Sequence, residues 1–376
     1  MVHKIMVAGH VTLDMTPSFP GTHRAKALND IVKPGKLIDI GRMEFSLGGC
    51  VSNTGMALHK FGAEVILAAK IGHDNFGKII VEKYRGLGLE PDFIISDQDD
   101  TSYSLVLAPP GCDRCFLHDA AANHNFSGAD ISDQLLRRAQ YFHFGYPTLM
   151  RRFYNDHGRE LKELYQRVKA YGLVSSLDMA AIDPVGESAK TDWLRVLKNT
   201  LPYVDFFMPS IEELCFMLER EKYEAWQQLA GHQDICRALS LENDVKPLAE
   251  KALQLGCRAL LLKCGAAGLY LRTSDEDSML EISEHFDGRG WGGLSRFEKS
   301  FVPDRILSAT GAGDVAIAAF IYGLSTGLSP ADCLSLAAGM GALCLTRYDT
   351  LSGLMSIKEV MAKIESGWEK QNVILR

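Results

Sequence analysis

Along the chain, short runs of mostly apolar residues alternate with longer stretches in which apolar residues recur every three or four positions. Residues 4–8, 64–71, 141–144, 173–178, 204–208 and 259–263 are of the first kind, and several are almost entirely apolar. Runs like these predict strands buried on both faces. Residues 52–61, 75–87, 153–170, 211–218 and 247–255 carry apolar positions at helical spacing. The alternation predicts parallel β-α-β units with helices on both sides of one sheet, an α/β, doubly wound fold.

Four stretches break the rhythm. Residues 15–47 are rich in Pro, Gly and charge and end in a short alternating run, and residues 94–117 read as two strands joined by a turn at 109–114. Together they predict a small separate sheet. Residues 220–243 are polar with weak helical character, and residues 273–301 are acidic and then glycine-rich. Both predict surface insertions.

Length allows one large domain or two ordinary ones, and the 376 residues are read here as a single domain. No run of about 18 apolar residues occurs, and the first ten residues are interrupted by polar ones where a secretory signal needs an unbroken apolar stretch. A cytoplasmic enzyme is expected. The formal charge is -7, from 40 Lys+Arg and 47 Asp+Glu, and no basic block stands out. Neither nucleic acid nor an anionic membrane is therefore expected as a partner. Nine dispersed cysteines, an odd number, predict reduced thiols rather than a disulfide framework.

The densest chemistry lies in Ser308-Ala309-Thr310-Gly311-Ala312-Gly313-Asp314, which runs into an apolar stretch at 315–324. Small residues at a helix start let backbone N–H groups approach an anion, with the helix dipole behind them. Asp314, beside such an anion hole, can accept the proton of an attacking hydroxyl. The run alone reads equally well as a glycine turn with Asp314 as the helix N-cap. Gly48-Gly49 precede a second helix carrying Asn53, whose amide offers a hydroxyl both a donor and an acceptor. Gly9 closes the first strand and Asp14 follows, at the sheet edge where α/β folds bind ligands. Each of these features, taken alone, is also ordinary turn chemistry.

In this order, the features resemble the PfkB carbohydrate kinase family, also called the ribokinase family. The resemblance covers almost the whole chain, through LGGCVSNTGMALHKFGAEVILAAKIGHDNFG at 47–77 and SATGAGD at 308–314. Weaker echoes are AAN at 121–123, FGYP at 144–147, MPSIEEL at 208–214 and LKCGAAGLYL at 262–271. It implies an ATP-dependent kinase acting on a hydroxymethyl group of a small sugar or nucleoside. Asp314 would be the base, with Gly311, Ala312 and Gly313 as anion-hole amides. Asp14, Gly48, Gly49 and Asn53 would contact substrate. Ser210, Lys263, Gly265 and Gly268 would line ATP, and Glu213 would stand near Mg2+, held largely through water. Segments 15–47 and 94–117 would form a lid that closes over substrate and can build a homodimer interface.

There are departures. Ser210 replaces the family's asparagine, and Ser308 stands where many members have an aspartate that helps bind a monovalent cation, which leaves potassium (K+) activation open. Residues 144–147 lack the acidic residue that ribokinase places nearby, so ribose does not follow. The rivals are a nucleoside kinase and, from another class, a sugar-binding regulator without catalysis. A nicotinamide dehydrogenase needs its glycine loop after the first strand, and Gly9 to Asp14 does not fit. Gly288 to Gly293 satisfy a dinucleotide glycine pattern but follow no buried strand, so they read as a loop. Cys112 and Cys115 have metal-like spacing without a second pair and read as a hairpin turn. His143 reads as a core histidine, and Asp178 and Asp183 as substrate contacts or caps.

Overall fold

The near-continuous apolar runs become the inner strands of an eight-stranded sheet with order β14-β13-β12-β11-β10-β9-β1-β4. In the computed structural model, which describes residues 3–19, 28–109, 114–231 and 235–373, these are β1 (Lys4–Gly9), β4 (Glu64–Ala68), β9 (Tyr141–Gly145), β10 (Val174–Asp178), β11 (Phe206–Phe207), β12 (Ala259–Cys264), β13 (Gly268–Thr273) and β14 (Ser295–Lys299). The six strands from β4 to β12 pair in parallel, and β13 and β14 add an antiparallel edge. Successive residues of one strand enter different cores: Ile5 and Val7 pack in one hydrophobic cluster, Met6 and Ala8 in the other. Both faces are covered, and that is why these strands do not alternate with polar residues. Each large apolar side chain buried in this way contributes about 1.5–3 kcal/mol.

The strand order reverses around β1, which lies between β4 and β9. In open α/β sheets, ligands bind outside the carboxyl ends of the strands at such a reversal. Gly9, Gly145 and Asp178 stand at those ends.

The predicted small sheet exists with altered membership. Its order is β3-β2-β7-β8, from β2 (Thr12–Pro17), β3 (Met43–Gly48), β7 (Tyr103–Leu107) and β8 (Cys115–Asp119). It therefore begins before residue 15. The strand at residue 94 lies outside it: β6 (Ile94–Ser96) pairs in parallel with β5 (Lys70–Gly72) as a separate two-stranded sheet. The single strand expected at 64–71 accordingly divides, because the chain leaves the large sheet at Ala69, whose carbonyl accepts from Ile94 N at 2.8 Å. Residues 20–27 and most of the turn at 109–114, with Cys112, lie outside the described residues.

Two further expectations need correction. The helix predicted over 153–170 breaks at Asp156, His157 and Gly158, all with positive φ, and resumes as Arg159–Ala170. Side-chain periodicity does not register such a break. Segment 273–301 is not a surface insertion: Met279, Phe286 and Trp291 are buried, Trp291 packs edge-on against Phe206 and Phe320, and β14 extends the large sheet. Segment 220–243 does contain a largely surface helix, Arg220–Ala230, anchored by the buried Trp226. The helix Ile211–Leu218 has the predicted bounds. His143 is a core histidine, its Nδ1 bonded to Ser176 Oγ at 2.9 Å. The eight described cysteines are all free, and no helix among the described residues is long and apolar enough to cross a membrane.

Candidate active site

A cleft of about 740 Å³ opens at the carboxyl ends of β9, β10 and β12 and runs along the start of the Ala312–Thr326 helix. Its lining includes Tyr146, Asp178, Glu213, Lys263 and Gly311 to Asp314. Gly265, Gly268, Ile306, Ala337 and Gly341 line it as well.

The Ala312–Thr326 helix is capped by Gly311 in the left-handed conformation, φ 77°, where a Cβ would run into the Thr350 side chain. Only glycine meets both demands. Asp314 is thus inside the first turn rather than at the cap, and its carboxylate bonds side chains. Asn53 Nδ2 donates to it at 3.1 Å, Thr54 Oγ1 at 3.4 Å, and the Tyr146 hydroxyl lies 2.8 and 2.7 Å from its two oxygens. Burial raises its pKa, while Tyr146, Lys263, Asn53 and Thr54 hold the rise back. Of the first-turn amides, that of Ala312 donates to Ala309 O at 3.3 Å. The first N–H groups of a helix have no intrahelical acceptor and can face an anion.

Lys263, on β12, reaches under this turn. Its Nζ lies 3.7 Å from where a Cβ on Gly313 would stand, and donates to Asp178 Oδ1 at 2.6 Å. Burial works against the lysine charge, but Asp178, Glu213 and Asp314 outweigh it, so its pKa is raised. Asp178 is pushed up by burial and by Glu213 and Asp314, against the pull of Lys263. With so short a contact, the ammonium stays protonated beside a carboxylate. Ser210 caps the Ile211–Leu218 helix: its Oγ accepts from Glu213 N at 3.2 Å, while Glu213 Oε2 accepts from Ser210 N at 2.7 Å. That reciprocal box is the local reason a serine serves here. Gly265 and Gly268 shape the turn between β12 and β13.

Asp14 stands on β2 opposite Ser46 and Ser104. A Cβ on Gly48 would collide with its carboxylate, and one on Gly49, where φ is 85°, with the His10 carbonyl. The glycine pair therefore clears room for Asp14 and His10, a reason sequence reading did not supply. Burial raises the Asp14 carboxyl to about 6, with Ser104 and Arg114 opposing the rise. Asp14 Oδ1, Thr12 Oγ1 and His10 Nδ1 are buried without a hydrogen-bond partner. His10 Nε2 meets His118 Nε2 of the small sheet at 3.2 Å, and burial lowers both histidines. The guanidinium of Arg114, the residue before β8, donates to Thr310 Oγ1.

Of the predicted residues, Asp314, Gly311, Ala312, Gly313, Ser210, Glu213, Lys263, Gly265 and Gly268 line one cleft, Asn53 joins it through its bond to Asp314, and Asp14, Gly48 and Gly49 stand apart at the small sheet. Sequence reading linked Asn53 to substrate alone and missed its bond to Asp314. It left Asp178 undecided and passed over Tyr146, His10, His118, Thr54 and Arg114. The only signal for Tyr146 was its place in FGYP, and nothing local tells that it meets a residue 168 positions later.

Among the described residues, no group of three or more His, Cys, Asp or Glu side chains could hold a metal ion. Glu213 offers one carboxylate at the cleft. A single carboxylate suits magnesium, which keeps its waters and binds mainly through substrate phosphates.

Residues 4–356 match the pfkB family carbohydrate kinases. An uncharacterized sugar kinase of Archaeoglobus fulgidus is 20% identical over 80% of this chain and 98% of its own length. A 2-dehydro-3-deoxygluconokinase of Bacillus subtilis is 20% identical over 85% and 87%. The structure of Arabidopsis thaliana ribokinase complexed with ribose and ATP superposes with a TM-score of 0.68 at 18% identity, covering 96% of this chain and 98% of that one. A Thermotoga maritima ribokinase gives the same TM-score and identity, covering 96% and 99%. The fold is ribokinase-like, and the chain belongs to the pfkB family of carbohydrate kinases, sugar-phosphorylating transferases.

Proposed function

We propose that this sugar kinase transfers the γ-phosphoryl group of ATP to a hydroxymethyl group of a small sugar, with Asp314 as the general base. The observation that carries the reading is a buried carboxylate at the cleft, at the start of a glycine-capped helix and beside the ion-paired Lys263. The acceptor would lie between β2 and the Asp314 turn, its hydroxyls on Asp14 and Asn53. ATP would lie along Gly265, Gly268 and Ser210, with its γ-phosphate toward the Gly311 to Gly313 amides. Asp314 takes the proton as the acceptor oxygen closes on phosphorus, and Lys263 and the helix N-terminus neutralise charge on the transferring group. Magnesium bound near Glu213 supplies neutralisation of the phosphate charge. The neighbour whose structure holds ribose and ATP and the relative that is a gluconokinase support a small polyol as acceptor.

The small sheet is the proposed lid. Phe45, Met15, Leu105 and Leu117 form a cross-strand row on one of its faces, with Phe45 and Leu117 exposed. A second copy of the chain is the proposed cover for that row. In sedimentation, Leu117→Glu is expected to shift the species to the monomer.

Asp314→Asn keeps sugar binding and lowers turnover by about 10²–10⁴-fold. Near-normal turnover in that variant would end the reading. A screen of sugars and nucleosides for ADP release, with ATP and magnesium and with or without potassium, identifies the acceptor. Release only with nucleosides would replace the sugar reading by its nucleoside rival.

A further inference from the structure

The Tyr146 hydroxyl stands where an acceptor hydroxyl has to stand. At 2.8 and 2.7 Å from the two oxygens of Asp314, a single proton donor straddles the carboxylate. Asn53 already serves Oδ2 and Thr54 serves Oδ1. A carboxylate offers about four acceptor positions, so these three side chains leave it nearly saturated. Tyr146 lines the cleft and is half-buried, so among the three it is the one on the solvent side of the base. Thr54 is fully enclosed and Asn53 nearly so.

The backbone holds the ring there at a cost. Tyr146 has φ 69° and ψ 38°, in the left-handed region, directly after β9. For a bulky residue such a conformation costs on the order of 1–3 kcal/mol and persists only where its surroundings impose it. The Tyr146 N–H points to the Asp178 carbonyl at 3.4 Å, Pro147 follows, and the ring lies 5.9 Å from that of His10, on the acceptor side. The strained backbone thus holds the hydroxyl on the base, with the ring beside that of His10.

We propose that Tyr146 is a cap on the base that the acceptor displaces: in the resting enzyme its hydroxyl replaces the sugar hydroxyl on Asp314 and keeps water away, and acceptor binding moves it aside. Tyr146 is then a positioning residue that makes phosphoryl transfer conditional on a sugar. The proposal rests on Asp314 being the base. Five titratable or charged groups face that carboxylate: Lys263 of β12, Asp178 of β10, Cys50 and Cys344 of two helices, and Tyr146 itself. Only the tyrosine changes in the test.

The test is Tyr146→Phe in the full-length enzyme, with its folding checked by thermal melting, and Tyr146→Leu in reserve should the first not fold. The tyrosine bond favours the ionised base, so its loss moves the acid limb of activity to higher pH. The limb of kcat/KM reports the free enzyme and that of kcat the complex. The expected result is a shift of the kcat/KM limb alone, together with several-fold faster ATP hydrolysis in the absence of sugar. Asp14, which also titrates in the free enzyme, is common to both proteins and cancels in the difference. Both limbs moving together would mean that the tyrosine stays on the base during turnover and would overturn the proposal, as would unmoved limbs or unchanged hydrolysis. These outcomes leave Asp314 as base untouched, since that reading falls only on the turnover of Asp314→Asn.

Discussion

Along the wall built by β10, β12 and the Ala312–Thr326 helix, the polar groups already have partners: Asp314 with Asn53, Thr54 and Tyr146, Lys263 with Asp178, Glu213 with Ser210. Where β1 passes into β2 and the small sheet, His10 Nδ1, Thr12 Oγ1 and Asp14 Oδ1 are buried with none. A buried polar atom without a partner costs about 1–3 kcal/mol. The proposed acceptor's hydroxyls would offset that cost. On the proposed function, the first group is assembled before substrate arrives and the second is completed by it.

Experiments can break that contrast, in order of expected effect. Asp314→Asn strikes the assembled wall at its centre, and the loss should be read in turnover with little change in sugar affinity. Lys263→Met breaks the ion pair next to it and leaves the Asp178 carboxylate buried alone, which should lower stability by about 3–5 kcal/mol in denaturant unfolding. Adding Asp178→Leu to Lys263→Met should restore much of that stability without restoring activity if, as proposed, the paired charges serve the transferring group rather than the fold. If the double variant is no more stable than the single one, the pair is structural and the contrast weakens.

In the second group the signs are reversed. The carboxyl of Asp14 is raised to about 6, so the folded state binds its proton more tightly than the unfolded chain does. Its charge therefore opposes folding at pH above about 6, and this penalty disappears as pH falls toward the ordinary carboxylate range. Asp14→Asn should accordingly raise the melting temperature at pH 8 while weakening acceptor binding about tenfold or more, since one lost hydrogen bond to a charged group is worth about 1.5–3 kcal/mol. In the unmodified enzyme, acceptor affinity should fall as pH drops through about 6. A variant that loses both stability and affinity would make Asp14 a structural residue. The smallest effect expected is that of Tyr146→Phe, confined to one pH limb and to sugar-independent hydrolysis.

Much of this was legible beforehand, for local reasons. A strand buried on both faces must be apolar throughout, so β1, β9, β10 and β12 were visible, and apolar residues at helical spacing marked the Ile211–Leu218 helix. The late glycine run and Asp314, equally readable alone as a capped turn, were singled out by their order after Asp14, Gly48, Gly49 and Asn53. What escaped detection depended on distant partners. Residues 273–301 look like an insertion until Phe206 and Phe320 supply the pocket for Trp291. Residues 64–71 read as one strand until β6 captures the second half.

The sequence alone determined the alternation of strands and helices, the glycine turn before the Ala312–Thr326 helix, its aspartate and the family they resemble, because each is written in neighbouring residues. Tertiary structure alone decided that Asn53 and Tyr146 converge on Asp314, that Lys263 pairs with Asp178, and that Gly48 and Gly49 clear space for Asp14 and His10. Those contacts join residues up to 261 positions apart, and only the parallel stacking of strands, which brings all their carboxyl ends to one edge, makes them neighbours.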